Sequence, residues 1–268
     1  MDDPTTEQAN AVLGVVDSVM GDSAVAVYLY GSAVVGGLMP ASDLDLFAVT
    51  SRRTAPAERW DLVTRLIPIS RRGQRPSSWR PVELTVVALP DVQPWGFPPR
   101  TDFQYGEWLR DRFDAGSADP EHPDNPDLAL LIEQVRRTGQ TLVGQPPSEV
   151  LPVIPESDLR AALVGVIPGL MSDVDSDTTN VLLTLARVLY SLETGEFTSK
   201  DAASDWAITR LDSRHVLPLQ KAKDIYLGRR ADDWSEDIDL ARAAAASLAL
   251  NTIETHVEQV PRRRDLRD

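Results

Sequence analysis

Two carboxylates, Asp43 and Asp45, stand two residues apart in SDLDLFAV, a stretch that is otherwise apolar. Read as a strand, the stretch turns both side chains to one face, about 7 Å apart along the chain. Like charges on an apolar sheet repel, and each is costly to take out of water. No lysine or arginine within the stretch offsets them. A divalent cation would, and magnesium prefers carboxylate oxygens. A third carboxylate, Glu83, interrupts the apolar run RPVELTVVAL in the same way. If the two strands are neighbours, the three acids converge. Three such groups suit a two-metal centre working on a phosphoryl group. Glu83 is alternatively a general base that takes a proton from a substrate hydroxyl.

Upstream lies Gly31-Ser32, directly after the apolar run Ala24–Tyr30. This pair is expected to open a helix whose first N–H groups, with the Ser32 hydroxyl, hold phosphate oxygens. Gly36 and Gly37 then permit a tight turn before Asp43. An isolated Asp-x-Asp is commonly a turn or a solvated face, and an isolated Gly-Ser says less. Gly31-Ser32, ten residues, then Asp43-Leu44-Asp45, with a strand on each side and Glu83 beyond, is far more specific.

The elements that must position these groups follow from periodicity. Thr6–Met20 and Ala57–Leu66 have helical spacing; Ala24–Tyr30, Leu44–Val49 and Val82–Leu89 read as buried strands. Ser70–Pro81 and SADPEHPDNPD read as loops, and Leu128–Thr138 as a helix. Strand, connection, strand, helix, strand predicts an α/β domain over residues 1–155. The proline-rich stretch Gly144–Asp158 is expected to be the linker to a second domain, 156–268. There the pattern is helical only. Val181, Leu182, Leu185, Val188, Leu189 and Leu192 form one stripe, and Leu240–Glu258 is a long Ala/Leu-rich helix. An all-α bundle is expected. Asp177, Asn180, Thr184, Arg187 and Ser191 make a polar stripe beside the leucines, facing either a cleft or solvent. The final RRRDLRD reads as a frayed tail.

Composition limits the function classes. The 268 residues contain no cysteine and three histidines, His122, His215 and His256, which excludes disulfides and argues against a thiolate or His-rich metal site. A net charge of −14 disfavours broad contact with nucleic acid and favours small cations. No apolar run approaches the roughly 20 residues that span a bilayer, and the acidic MDDPTTEQAN does not resemble a signal peptide. A cytoplasmic monomer is expected.

The Gly31-Ser32 and Asp43-x-Asp45 spacing resembles the signature of polymerase-beta-like nucleotidyltransferases. The longer segments LYGSAVVGGL, RPVELTVV, QPWGFPPRTDFQYGEWLR and NVLLTLARVLYSLETGEFTSKDAASDWA narrow the likeness to the aminoglycoside (3'')(9) adenylyltransferases, over about Leu29–Gly228. The resemblance implies a polymerase-beta-like domain followed by a helical bundle. It also implies transfer of AMP from ATP to a hydroxyl of streptomycin or spectinomycin, small cationic aminocyclitols. Asp43, Asp45 and Glu83 would hold two Mg2+ ions, with Glu83 also the base. Gly31, Ser32, Ser42, Arg187, Lys200 and Tyr226 would surround ATP, and Arg187 with Lys200 could neutralise its phosphates. Trp108 would stack on streptomycin, and Asp173 and Asp177 would bind its cationic groups, although MSDVDSDTTN also offers Asp175. The alternatives are a nucleotide-binding regulator on the same fold, or a transferase for another small cationic metabolite.

Overall fold

Stretches rich in valine and leucine that alternate between two faces form the centre of the N-terminal half. The computed structural model describes residues 3–35, 37–39, 42–70, 79–116 and 125–259. The chain divides into two units, Met1–Asp158 and Leu159–Asp268. In the first, helix α1 (Asp3–Met20) precedes β1 (Ala24–Leu29), and α2 (Pro56–Leu66) joins β2 (Leu44–Thr50) to β3 (Val82–Ala88). With β4 (Phe103–Tyr105) and β5 (Gln140–Val143), the strands form one sheet in the order β4-β3-β2-β1-β5. β2 and β3 run parallel, and the other three pairings are antiparallel. Parallel neighbours need a crossover, which is why α2 lies between them in sequence. Shorter helices complete this unit: α3 (Leu89–Val92), α4 (Arg110–Asp114), α5 (Asp127–Thr138) and α6 (Pro147–Val150).

The period of two sorts the side chains. Leu44, Leu46 and Ala48 of β2 and Val82, Leu84 and Val86 of β3 join Ala9, Val12 and Val16 of α1 and Leu62 and Leu66 of α2 in one buried cluster. Asp45 and Glu83 have the opposite parity and therefore face away from that cluster. Val27 and Leu29 of β1 belong to the cluster too, which leaves Tyr28 and Tyr30 with the parity of the acids.

The strands β4 and β5 were not expected from sequence; they are three and four residues long, too short for alternation to register. The segment Gly144–Asp158, expected to be the linker, is hydrogen-bonded to the first unit. Tyr28 donates its hydroxyl to the Gln145 carbonyl (2.9 Å), Gln93 donates to the Val150 carbonyl (2.8 Å), and the Trp95 indole donates to Asp158 (2.8 Å). Proline cannot donate to a ladder, yet it leaves carbonyls free to accept.

α7 (Glu156–Gly165) starts at the boundary, followed by α8 (Ile167–Ser172), α9 (Thr178–Thr194), α10 (Lys200–Ile208), α11 (Ser213–Tyr226) and α12 (Ile238–Gln259). Among the described residues this unit has no strand. The predicted stripe of α9 is its core: Val181, Leu182, Leu185 and Leu189 pack with Ala203, Leu219, Ala222 and with Ala241, Ala244, Ala245 and Leu248 of α12. The alanines of α12 let it lie close to α9, since side-chain size sets interaxial distance. α9 ends at Gly195, whose φ of +72° is the left-handed cap glycine favours. No described helix is long and apolar enough to cross a membrane. Gly36, most of Ser70–Pro81, residues 117–124 with His122, and the C-terminal tail lie outside the described residues.

Candidate active site

The parallel register sets Asp45 directly opposite Glu83. Asp43 stands just ahead of β2 rather than inside it. Asp43, Asp45 and Glu83 each offer a carboxylate oxygen within 4.8 Å of the other two, and all three residues are partly buried. Three acids this close repel one another, and partial burial strengthens the repulsion. An all-oxygen, all-anionic donor set suits a hard divalent cation, so the residues present fit magnesium.

Glycine at position 31 makes this cluster possible. Its φ is +67°, and a Cβ there would lie 2.0 Å from Asp45 Oδ2. Both the backbone conformation and the neighbouring carboxylate exclude a side chain. The helix expected to open here is instead a three-residue 3-10 turn, Gly31–Ala33, closed by the N–H groups of Val34 (3.2 Å) and Val35 (3.0 Å) donating to the Gly31 carbonyl. Two valines followed by two glycines do not propagate a helix. Ser32 sits on this turn, partly buried. Ser42 is buried, and its hydroxyl accepts the Met39 N–H at 3.0 Å. That bond ties Ser42 to Met39 directly ahead of Asp43 and leaves its O–H free to donate.

Two residues that sequence reasoning missed hold this region together. Arg80 donates to the carbonyls of Met39 (2.7 Å) and Ser42 (2.9 Å), bracing the same turn. Tyr30, 5% exposed, donates its hydroxyl to Glu83 Oε1 at 3.1 Å. Burial, together with the charges of Glu83 and Asp45, pushes that hydroxyl well above its ordinary range, so it stays a donor. Its parity with Asp45 was the available signal.

Trp108 is presented outward. It is 55% exposed, whereas its neighbours Leu109 and Arg110 are each 5% exposed. Glu107 accepts from Arg110 (2.7 Å), Tyr105 (3.3 Å) and the Ser70 hydroxyl, and Arg110 also donates to the Ile67 carbonyl (3.1 Å). This clamp fixes the turn Glu107–Leu109 on both sides of the indole. The ring lies against Gly106, where a Cβ would come within 2.3 Å of it. The backbone of Gly106 is extended (φ −161°), so glycine is needed there for room alone.

In the helical unit, α9, α10 and α11 bring together Asp177, Asn180, Lys200 and Tyr226. Asn180 donates to Asp177 Oδ2 (2.9 Å) and accepts from Lys200 Nζ (2.5 Å). That Nζ lies 5.9 Å from the centre of the Tyr226 ring. Arg187 is partly buried two turns along α9 from Asn180. The three neighbouring aspartates differ. Asp175 is held by Arg242 through two bonds (2.8 and 2.9 Å), which lower its carboxyl below the usual range. Asp173 accepts from the Ser172 hydroxyl (3.1 Å) and stays exposed. Asp177 stands at an open recess of about 490 Å³ that Asp232, Trp234 and Arg242 also line.

Residues 149–251 match the family model of the aminoglycoside adenylyltransferase C-terminal domain. Over 248 residues the chain is 40% identical to a spectinomycin 9-adenylyltransferase of Staphylococcus aureus, covering 92% of this chain and 95% of that one. The chain belongs to the aminoglycoside adenylyltransferase family. This adenylyltransferase is also 37% identical over 234 residues to an aminoglycoside (3'')(9) adenylyltransferase of Escherichia coli, covering 87% of its own length and 89% of the relative's. Among solved structures, a spectinomycin adenyltransferase of Enterococcus faecalis with ATP and spectinomycin matches with a TM-score of 0.87 at 29% identity, over 92% of this chain and 99% of that one. The fold is therefore a nucleotidyltransferase α/β domain followed by an adenylyltransferase helical domain.

Proposed function

We propose that this adenylyltransferase transfers AMP from ATP to a hydroxyl of spectinomycin and of streptomycin. The observation that carries the reading is the convergence of Asp43, Asp45 and Glu83 oxygens within 4.8 Å, with Asp45 and Glu83 set opposite each other by the register of two parallel strands. A spectinomycin 9-adenylyltransferase at 40% identity and an aminoglycoside (3'')(9) adenylyltransferase at 37% identity support the substrate class.

Glu83 takes the proton of the drug hydroxyl as its oxygen bonds to the α-phosphorus, and the bond to pyrophosphate breaks. Asp43, Asp45 and Glu83 hold magnesium, which when bound offsets the charge of the phosphate oxygens. Gly31 leaves space for the Asp45 carboxylate, and the turn carrying Ser32 offers backbone and hydroxyl donors to phosphate. Ser42 contributes by bracing Asp43. Arg187 and Lys200 supply positive charge to the triphosphate, beside Tyr226. Asp173 and Asp177 attract the cationic groups of the drug, and the exposed Trp108 face accepts a flat guanidinium. Asp175 is already neutralised by Arg242, which makes it the least suited of the three aspartates.

The test is direct. Purified protein is mixed with ATP, magnesium and each drug, and pyrophosphate is measured together with the mass of the drug. Release with both drugs, each product heavier by one AMP, is the expected result. No release with either overturns the proposal, and release with spectinomycin alone overturns the streptomycin part.

A further inference from the structure

Glu83 has three rotatable bonds before its carboxylate, and it sits among acids that repel it. Something must hold the carboxylate in one orientation if it is to meet a substrate hydroxyl within hydrogen-bond reach. Its parallel partner, Asp45, cannot do so, because an ionised carboxylate only accepts. A hydroxyl donor aimed at Glu83 comes from two strands away. Tyr30 directly follows β1, and its own N–H donates to the Asp45 carbonyl at 3.1 Å. Since Asp45 lies opposite Glu83, the Tyr30 side chain crosses β2 to reach β3. Two strand spacings are about 9.6 Å, a span that a serine or threonine would not cover. The ring is 5% exposed and cannot swing to solvent. One residue thus fastens both acids, Asp45 through the main chain and Glu83 through the phenol.

We propose that Tyr30 is a positioning residue for Glu83, its hydroxyl holding Oε1 so that the carboxylate is turned to the attacking hydroxyl of the drug. This rests on the reading of Glu83 as the base. No bond to the substrate is made by Tyr30 itself, and no proton is exchanged with it in the step.

The experiment compares wild type, Tyr30→Phe, Glu83→Gln and the double variant. Phenylalanine keeps the ring and its packing and removes only the hydroxyl. Steady-state kcat and KM are measured for ATP and spectinomycin, and binding of Mn2+ with a non-hydrolysable ATP analogue is measured by calorimetry. Tyr30→Phe is expected to lower kcat about 10- to 100-fold, with both KM values and the metal–nucleotide affinity changed by less than about threefold. In the Glu83→Gln background the same change is expected to alter the rate by less than about twofold, because a residue that acts through another has nothing left to act on. An unchanged kcat in Tyr30→Phe overturns the proposal. So does an equal fall in both backgrounds, which would give Tyr30 a role independent of Glu83, or a parallel loss of metal–nucleotide binding, which would make it a metal-site support. If wild type itself releases no pyrophosphate, the functional reading fails instead.

Discussion

The sheet unit and the helical unit assemble their polar groups by different means. In the sheet, position is set by the backbone. Asp45 faces Glu83 because the parallel ladder of β2 and β3 puts them in register, and Gly31 leaves the space that Asp45 fills. A slip of one residue in β3 would turn Glu83 to the face opposite Asp45. In the helical unit, position is set by side-chain reach. Lys200, at the start of α10, crosses to Asn180 on α9, and Asn180 in turn holds Asp177. Long side chains from packed helices can readjust; strand partners cannot. On the proposed function, the sheet unit supplies the groups whose geometry must be fixed, and the helical unit supplies charge whose position tolerates readjustment.

The largest expected effect tests the rigid side of that contrast. Glu83→Gln keeps shape and removes the base; kcat should fall about a thousandfold with little change in melting temperature. A variant within threefold of wild type would remove Glu83 from the chemistry. The flexible side should answer differently. Lys200→Met removes a charge from the cluster around Asn180, and the KM for ATP should rise about 10- to 50-fold while kcat moves less than threefold. A fall in kcat with unchanged KM would mean that the helical unit also fixes reacting geometry.

A smaller effect is expected where the sheet unit presents a side chain rather than a backbone register. Gly106→Ala should displace the Trp108 indole without straining the main chain. The KM for streptomycin should rise about fivefold and that for spectinomycin should stay within twofold, in line with the modest energy of a cation–π contact. Equal rises for both drugs would assign the indole to general packing. The smallest effect concerns Tyr28, the other tyrosine with the parity of the acids. Burial pushes its hydroxyl up to about 12. The folded chain keeps this proton where the unfolded chain, near its ordinary value of about 10, gives it up. Stability should therefore fall as pH rises from about 10 to about 12. Tyr28→Phe should lose that part of the alkaline slope in urea titrations, and an unchanged slope would contradict the assignment.

Much of the sheet site was legible from parity. Asp45 and Glu83 break apolar strands in the same way, and the β1, β2 and β3 segments stand out as short apolar runs. The closeness of Asp43 was only half legible, because its place before the strand depends on a turn braced by Arg80 from 38 residues away. Tyr30 could be placed on the correct face, but not beside Glu83, since that contact needs the strand order. The bonds that tie the proline-rich segment 144–158 to the first unit were not legible, because sequence shows the missing donors and not which oxygens accept. In the helical unit the leucine stripe was plain, whereas the ion pair that sets Asp175 apart from Asp173 and Asp177 comes from Arg242, 67 residues beyond it.

The account stands on three acids acting as one cation-binding centre. Binding of Mn2+ by wild type and by Asp45→Asn, followed by electron paramagnetic resonance with a non-hydrolysable ATP analogue present, tests this without requiring turnover. Saturable binding by wild type and affinity at least tenfold weaker in Asp45→Asn is the predicted result. Superimposable titrations of the two proteins would contradict it.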